Sequence, residues 1–235
     1  MGESLMPVIR PYGPADDAGL ANVCIRTGAA GEDATGRYAD PTVLPNLFAL
    51  PYAHLEPELA FVVEDPGSAE PESAEPESAE PESAEPECSV PGGIVGYVLG
   101  TADTARFAGR FREEWLPLVA DKYPLVASGA GGRPANPDER MADNLHHPER
   151  MVIPALAPWP AHLHIDILPA YQRRGLGRQL IAAFLAALRE AGVPAVHLGM
   201  ATANVKARAF YDRVGFEVID VPGASADATY LGLRL

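Results

Sequence analysis

The last third of the chain constrains the fold most, because strand-like and helical segments alternate there. Residues 162–168 and 195–200 predict two strands, and residues 170–191 predict a helix between them. The helix is indicated by an apolar stripe that comprises Leu176, Leu180, Phe184 and Leu188. Its end is indicated by two stop signals, Gly192 and Pro194. A strand, a helix and a second strand in this order form a right-handed parallel crossover in nearly all folds. The sequence therefore predicts an α/β protein.

Further elements are predicted before and after this unit. The predicted strands are 6–12, 59–64, 93–100, 216–221 and 229–235, and the predicted helices are 14–26, 43–54, 103–122 and 204–214. Residues 59–64 and 93–100 are expected to pair as one antiparallel hairpin. The helix at 103–122 is expected from the spacings of four, four and three between its apolar residues, Phe107, Phe111, Trp115 and Leu118.

An acidic repeat interrupts the hairpin. Residues 68–87 are four tandem copies of Ser-Ala-Glu-Pro-Glu, which supply eight glutamates and no base. Like charges that repel and prolines that lack a backbone donor keep such a segment out of a packed core. We expect a disordered insertion at the tip of the hairpin and assign it no function.

The whole chain, residues 1–235, is expected to form a single domain, since 47% hydrophobic content suffices for one core. The formal net charge is -14, but outside the repeat 24 acids face 18 bases. A nucleic-acid partner would want a concentrated basic face, so the charge argues against one. It mildly favours a cationic or neutral acceptor.

A second long segment, residues 124–160, is rich in glycine, proline and polar residues. A connection of 37 residues is too long to be passive. It is expected to be either a lid or substrate-binding loop, or to be partly disordered.

The sequence gives no signal for export or membrane attachment. The first ten residues lack a basic segment followed by an apolar one, and the longest aliphatic run, residues 180–188, is too short to span a bilayer. Cys24 and Cys88 lie in unlike surroundings and do not indicate a disulfide framework. We expect a cytoplasmic protein without a membrane partner.

A glycine-containing loop lies between the strand that ends at Leu168 and a helix start near Leu176. Its sequence is Gln172-Arg173-Arg174-Gly175-Leu176-Gly177, followed by Arg178. Glycines let the backbone approach a ligand closely, and the first N–H groups of a helix bind phosphate oxygens. The arginines add charge-assisted donors. Neither a dinucleotide fingerprint nor a Walker loop matches, so the loop predicts a different phosphate site.

These six residues resemble the Q/R-x-x-G-x-G signature of the GNAT superfamily of acetyltransferases. A downstream block is similar to the family's N-x-x-A-x-x-F-Y-x-x-x-G-F pattern and comprises Asn204, Ala207, Phe210, Tyr211, Gly215 and Phe216. The opening residues, Ile9-Arg10-Pro11 with Pro14, Ala15 and Asp16, also look like the family's first strand and helix. The resemblance covers most of the chain except about residues 65–92 and 104–160. Residues 162–198 also look like bacterial GNAT proteins related to the C-terminal acetyltransferase-like domain of O-GlcNAc hydrolases.

The resemblance implies a GNAT fold, with a mixed, mostly antiparallel sheet whose central parallel strand pair is splayed and flanked by helices. It implies acetyl-CoA as cosubstrate, with the pyrophosphate at residues 172–177 and Arg178. The pantetheine arm is expected along Ile167 and Leu168, within the stretch 165–168 that borders the gap. A homodimer agrees with the resemblance, because GNAT proteins are often dimers.

Two residues of the second block have expected roles in the family. Tyr211 matches the tyrosine that commonly protonates the departing thiolate, although an aromatic residue near a helix start also packs in cores. Asn204 is expected either to bond the pantetheine arm or simply to begin the helix.

The general base has three candidates on one strand. His162, His164 and Asp166 alternate, so they share one face of the strand, with residues 163, 165 and 167 on the other. The histidines look similar to the paired histidines of arylalkylamine N-acetyltransferases, and Asp166 matches an aspartate of the O-GlcNAc hydrolase relatives. A polar strand end satisfied by its neighbours is the alternative. No third ligand accompanies the two histidines, so no metal site is expected.

The sequence thus predicts an acetyl-CoA-dependent N-acetyltransferase that moves an acetyl group directly to an amine acceptor. A catalytically silent acetyl-CoA-binding module, acting in protein interaction or sensing, is the alternative. Gln172, Gly175, Gly177, Asn204 and Tyr211 are all present, which favours activity. The acceptor's identity does not follow from the sequence.

Overall fold

The apolar segments form one seven-stranded sheet in the computed structural model, which describes residues 6–68, 90, 93–125 and 136–235. The strands are β1 (Val8–Pro11), β2 (Ala60–Glu64), β3 (Ile94–Thr101), β4 (Ala161–Ile167), β5 (Ala195–Ala201), β6 (Glu217–Ile219) and β7 (Ala228–Arg234). Their order across the sheet is β1-β2-β3-β4-β5-β7-β6. Only β4 and β5 pair in parallel among these strands, and the other neighbours are antiparallel. The predicted mixed sheet and the predicted hairpin of β2 and β3 are both confirmed.

Eight α-helices are described. They are α1 (Asp17–Thr27), α2 (Val43–Phe48), α3 (Leu50–Leu55), α4 (Thr104–Arg110), α5 (Leu116–Val119), α6 (Pro137–His146), α7 (Leu176–Glu190) and α8 (Val205–Arg213). Proline at a first turn is pre-set for helical φ, and short 3-10 turns begin at several prolines, namely Pro14–Asp16, Pro57–Leu59, Pro148–Met151, Pro154–Leu156 and Pro169–Tyr171.

The helices build one apolar core on each face of the sheet. On the first face, α1 to α4 pack around Tyr52, Tyr97 and Phe107, which are all nearly inaccessible to solvent. On the second face, the predicted stripe of α7 is buried against β3 and β4, with Phe184 at its centre. A Cβ added to Gly100 would lie 2.4 Å from the Phe184 ring, so α7 rests directly on the β3 backbone. Removing such an aromatic side chain costs about 3–5 kcal/mol.

The helix predicted at 103–122 exists, but one turn differs from the expected geometry. Phe107, Phe111 and Trp115 are buried as expected, whereas Leu118 is 73% exposed. A π-helical turn, Phe111–Trp115, separates α4 from α5. The wider turn rotates the residues that follow, so that Leu116 faces the core instead of Leu118.

The segment predicted as irregular between residues 124 and 160 is more ordered than expected where it is described. Helix α6 begins after Asn136, whose side chain caps the amide of Glu139, and two 3-10 turns follow it. Residues 126–135 and the repeat at 69–87 lie outside the described residues, as does Cys88.

The helix predicted at 170–191 begins later, at Leu176. Pro169–Tyr171 forms a 3-10 turn, Gln172 is extended, and Gly175 has a left-handed φ of 84°. A residue with this φ cannot continue an α-helix, so the preceding residues form a loop.

Candidate active site

A cleft opens in the sheet between β4 and β5. These strands pair only at Ala161 with Val196 and at His162 with His197, although β4 continues to Ile167 and β5 to Ala201. Beyond His162 the two backbones separate, which leaves one edge of β4 free of a strand partner. The splayed parallel pair that the family resemblance implied is therefore present, with Ile165 to Leu168 along the gap.

The loop before α7 lies beside this cleft and presents a row of backbone amides. Arg173 and Gly175 have left-handed φ values of 61° and 84°. Within the described part of the chain, the amides of residues 173–177 donate to no backbone or side-chain oxygen. The Gln172 side chain donates to the carbonyl of Ile167 at 3.0 Å and ties the loop to the end of β4. Adjacent free amides at a helix start form a cradle for an anion.

The two glycines of the loop serve different purposes. Gly175 needs its hydrogen side chain because of its left-handed conformation, and a Cβ there would meet only the end of Gln179, at 3.9 Å. Gly177 has an ordinary helical conformation, but a Cβ there would lie 3.2 Å from the Phe210 ring of α8. Gly177 therefore lets α7 and α8 pack closely. Leu176, which lies between the two glycines in the sequence, is buried in the core.

The arginines of the loop are exposed and surround the cradle. Arg174 lies over the Tyr171 ring, 5.1 Å from its centroid, and the Tyr171 hydroxyl donates to Asp65 at 2.7 Å. Arg173 and Arg178 are exposed as well. Guanidinium groups in these positions suit phosphate oxygens.

The first face of β4 carries His162, His164 and Asp166 side by side, as predicted. The Nε2 atoms of His162 and His164 lie 2.8 and 3.1 Å from the Tyr52 hydroxyl. The Nδ1 atom of His162 is 2.8 Å from the Thr104 hydroxyl, so both of its nitrogens are engaged inside the protein.

Asp166 differs from the two histidines in its partner and its position. Its carboxylate accepts a hydrogen bond from the Tyr97 hydroxyl at 2.8 Å. Asp166 lies in the part of β4 that no longer pairs with β5, four residues after the last pair at His162. Tyr97 is its antiparallel partner on β3.

Burial sets the protonation of the three residues. Desolvation lowers the pKa of His162 well below its usual value and lowers the pKa of His164 to about 4. Desolvation raises the pKa of Asp166 to about 7, although hydrogen bonds from Tyr97 and Thr27 oppose the change. Both histidines are therefore neutral at neutral pH, and Asp166 is the one of the three whose charge changes there.

Tyr211 lies on α8 on the other side of the cleft. Its ring is buried and packs against Phe216, with 5.6 Å between centroids. Burial raises the pKa of its phenol, and the nearby charge of Asp166 raises it further. Tyr211 therefore keeps its proton throughout the neutral range.

Asn204 caps the start of α8. Its Oδ1 accepts from the Ala207 amide at 3.0 Å and its Nδ2 donates to the Ala30 carbonyl at 2.9 Å. Both ends of the side chain are used within the protein, which supports the capping role that the sequence offered as one of two.

Three residues near the site did not emerge from the sequence. Tyr52 comes from the short helix α3, more than 100 residues before β4, and no local pattern links them. Tyr97 lies in the predicted strand 93–100, but its contact with Asp166 depends on the register between β3 and β4, which the sequence does not reveal. Arg150 follows α6 in the segment that was expected to be irregular.

Comparison with known proteins places this arrangement in a family. The Acetyltransferase (GNAT) family matches residues 140–216. SsHAT, whose crystal structure has been solved, is 49% identical to this chain in sequence and superposes with a TM-score of 0.81. The match covers 97% of this chain and 98% of the SsHAT chain. The chain belongs to the GNAT acetyltransferase family.

Two further similarities agree with this placement. Protein O-GlcNAcase of Rattus norvegicus is 23% identical over 232 residues, which is 97% of this chain. The chain spans 22% of the length of that relative, about a fifth. The structure of yncA from Salmonella typhimurium, solved with acetyl-CoA, shares the fold at 16% identity and a TM-score of 0.50, covering 98% of this chain and 95% of its own.

Family membership makes this GNAT protein an acyltransferase, and acetyl-CoA is the cosubstrate of GNAT enzymes. Nothing in the comparisons favours the silent binding module that the sequence left as an alternative. Among the described residues no helix is long and apolar enough to cross a membrane. In the same residues no cluster of three or more His, Cys, Asp or Glu side chains could hold a metal ion. The roles of individual residues stay predictions.

Proposed function

We propose that this protein is an N-acetyltransferase that moves the acetyl group of acetyl-CoA directly to the amine of an acceptor. The observation that carries the proposal is the combination of the open β4–β5 edge with the free amides of residues 173–177 at its mouth. An edge strand offers backbone hydrogen bonds to an extended amide chain, and the amide cradle offers them to phosphates. Acetyl-CoA carries both groups in one molecule.

The residues that would hold acetyl-CoA divide into three groups. The amides of 173–177 and the exposed Arg173, Arg174 and Arg178 suit the phosphates. The free edge at Ile167 and Leu168 suits the pantetheine arm. When bound there, acetyl-CoA supplies an activated acyl group with a thiol as its leaving group.

Asp166 is the proposed general base. Acyl transfer requires a neutral amine, so a proton must leave the acceptor before or during attack. A base is most effective when its pKa lies near the working pH, and burial brings the pKa of Asp166 to about 7. The neutral imidazoles of His162 and His164 hold Tyr52 in place and leave the proton to Asp166.

Tyr211 is the proposed donor to the departing sulfur. Its phenol keeps its hydrogen at neutral pH and lies in a buried, low-dielectric position, where a hydrogen bond to a thiolate is strengthened. Because its pKa is raised above that of a thiol, we expect Tyr211 to stabilise the thiolate mainly through the hydrogen bond.

The placement of acetyl-CoA is tested by comparing two glycines of one helix. Gly175→Glu puts a negative side chain beside the amide cradle, and we expect it to weaken acetyl-CoA binding at least 10-fold in calorimetry. Gly192→Glu is the matched control, because Gly192 lies at the other end of α7 with a similar φ of 70° and open surroundings. Unchanged affinity in Gly175→Glu, or equal loss in both variants, contradicts the placement.

The reaction is tested by thiol release from acetyl-CoA with and without a panel of primary amines. Thiol release is expected to be faster with an amine acceptor than without one. Mass spectrometry is expected to find the acetyl group on the nitrogen of the amine. Release that no amine accelerates contradicts the proposed function, even if acetyl-CoA binds at the cradle.

A further inference from the structure

Arg150 lies on the face of the sheet that carries His164 and Asp166, and no carboxylate among the described residues forms an ion pair with it. It belongs to the 3-10 turn Pro148–Met151, which packs against α4 on the first face of the sheet. Met151, the next residue, accepts a hydrogen bond from the Tyr52 hydroxyl at 3.5 Å. The turn therefore lies against the same tyrosine that contacts His162 and His164.

The charge of Arg150 affects the pKa values of residues near the cleft. After burial, its charge is the largest contribution that lowers the pKa of His164, and it opposes the burial that raises the pKa of Tyr52. Desolvation lowers the pKa of Arg150 itself, while Tyr52, Tyr230 and the nearby carboxylate of Asp143 raise it. Arg150 thus lies within electrostatic reach of Tyr52 and His164 on one side and of Tyr230 on the other.

Tyr230 marks the opposite wall of the cleft. It pairs across strands with Gly199 of β5, beyond the point where β4 and β5 separate. A Cβ on Gly199 would lie 3.2 Å from the Tyr230 ring, so the glycine lets this ring lie over β5. Arg150 is thus within electrostatic reach of residues on both sides of the opening.

Most of the donors of Arg150 are unused. Its Nε donates to the Asn144 carbonyl at 3.2 Å. In residues 136–235 and the other described ranges, no carboxylate forms an ion pair with Arg150, and the nearby Asp143 pairs with His147 at 3.2 Å instead. Arg150 is exposed to solvent, so a ligand can reach it. An accessible guanidinium group with unused donors can bind an oxyanion of a ligand.

We propose that Arg150 binds an oxyanion of the acceptor, so that the acceptor is a small molecule with both an amine and a carboxylate or phosphate. The planar fork of a guanidinium group binds either oxyanion through two parallel hydrogen bonds. Binding the oxyanion at Arg150 directs the amine of the same molecule towards His164 and Asp166. This inference rests on the proposed N-acetyltransferase function and specifies its acceptor.

The first test needs no catalysis. The N-acetyl derivatives of glycine, β-alanine and 4-aminobutyrate are compared with their carboxamides for binding to the CoA-loaded protein by calorimetry. The three spacers cover different separations of the two groups. We expect at least one acid to bind 10-fold or more tightly than its amide, and Arg150→Gln to abolish that difference. Phosphoethanolamine against ethanolamine, as acceptors, distinguishes phosphate from carboxylate.

Arg140→Gln is the matched control, because Arg140 is an exposed arginine on the neighbouring α6. It is expected to leave the acid-to-amide ratio unchanged, and both variants are expected to bind acetyl-CoA like the natural chain. Equal binding of acid and amide in every pair together with equal use of phosphoethanolamine and ethanolamine, or the same acid-to-amide ratio in Arg150→Gln, overturns the inference. If acids bind through Arg150 but no amine is acetylated, the binding site stands and the proposed transfer fails, so the two failures are distinguishable.

Discussion

Replacing Asp166 by asparagine is expected to remove activity and to raise stability at the same time. The amide has nearly the shape of the carboxylate and can still accept the hydrogen bond from Tyr97. It cannot accept a proton from an amine, so turnover is expected to fall by about 100-fold or more, the usual contribution of a general base. It also carries no charge, so its burial costs less.

The gain in stability depends on pH in a way that follows from the pKa. The carboxyl has a pKa of about 7 in the folded protein and an ordinary value of 3.8. Between these values the unfolded chain releases a proton that the folded chain retains, so the raised pKa makes the natural protein less stable as pH rises from about 4 to about 7. At 1.36 kcal/mol for each pH unit, the full loss is about 4 kcal/mol, of which about 2–3 kcal/mol falls between pH 5 and pH 8.

Urea unfolding of both proteins at pH 5, 6, 7 and 8 measures this loss. The advantage of Asp166→Asn is expected to grow by about 2–3 kcal/mol over the series and to level off above pH 7. In parallel, kcat/KM of the natural protein is expected to fall as pH drops through about 7, because Asp166 becomes protonated. A difference in unfolding free energy that is constant with pH would refute the raised pKa and, with it, the assignment of the base.

Two further predictions concern other parts of the fold. Tyr211→Phe is expected to lower kcat by about 10–100-fold and to leave the affinity for acetyl-CoA nearly unchanged, because the phenol acts on the departing sulfur. Steady-state kinetics measures the first effect and calorimetry the second. An unchanged kcat would assign the ring to packing alone. Gly100→Ala is expected to cost about 3 kcal/mol or more in urea unfolding, because its Cβ would lie 2.3 Å from the His162 carbonyl. Gly109→Ala is the control, because a Cβ at this exposed position of α4 would meet no atom within 4 Å. It is expected to stabilise the protein by about 0.5–1 kcal/mol. Equal effects of the two substitutions would contradict the argument.

The sequence predicts the parts of this fold that local periodicity controls. The stripe of α7 and the alternation of β4 follow from residues three, four or two positions apart, and both are found as expected. Leu118 shows the limit of such reasoning, because a single π turn upstream rotates it into solvent. Nothing in the spacing of Phe111 and Trp115 reveals that turn.

The candidate site is only partly readable from the sequence, because its contacts join distant segments. The loop motif locates the cradle, but it treats Gly175 and Gly177 alike, and only the backbone angles and the Phe210 contact separate their roles. Tyr52 and Arg150 reach β4 from elements that no local pattern connects with it. The pKa values depend on these contacts, so the sequence left three candidate bases and the structure favours one.

The order of the three polar residues along β4 explains why Asp166, and not a histidine, is suited to exchange a proton with an acceptor. His162 is paired with His197 where the strands still bond to each other, and hydrogen bonds at both nitrogens fix it within the closed end. Asp166 comes four residues later, where the strands no longer pair and the side chain is only partly buried. An apolar strand would fold more stably than one with a buried and two half-buried ionisable side chains. That cost is understandable if the closed end holds the sheet in register while the open end supplies a titrating group beside the cleft.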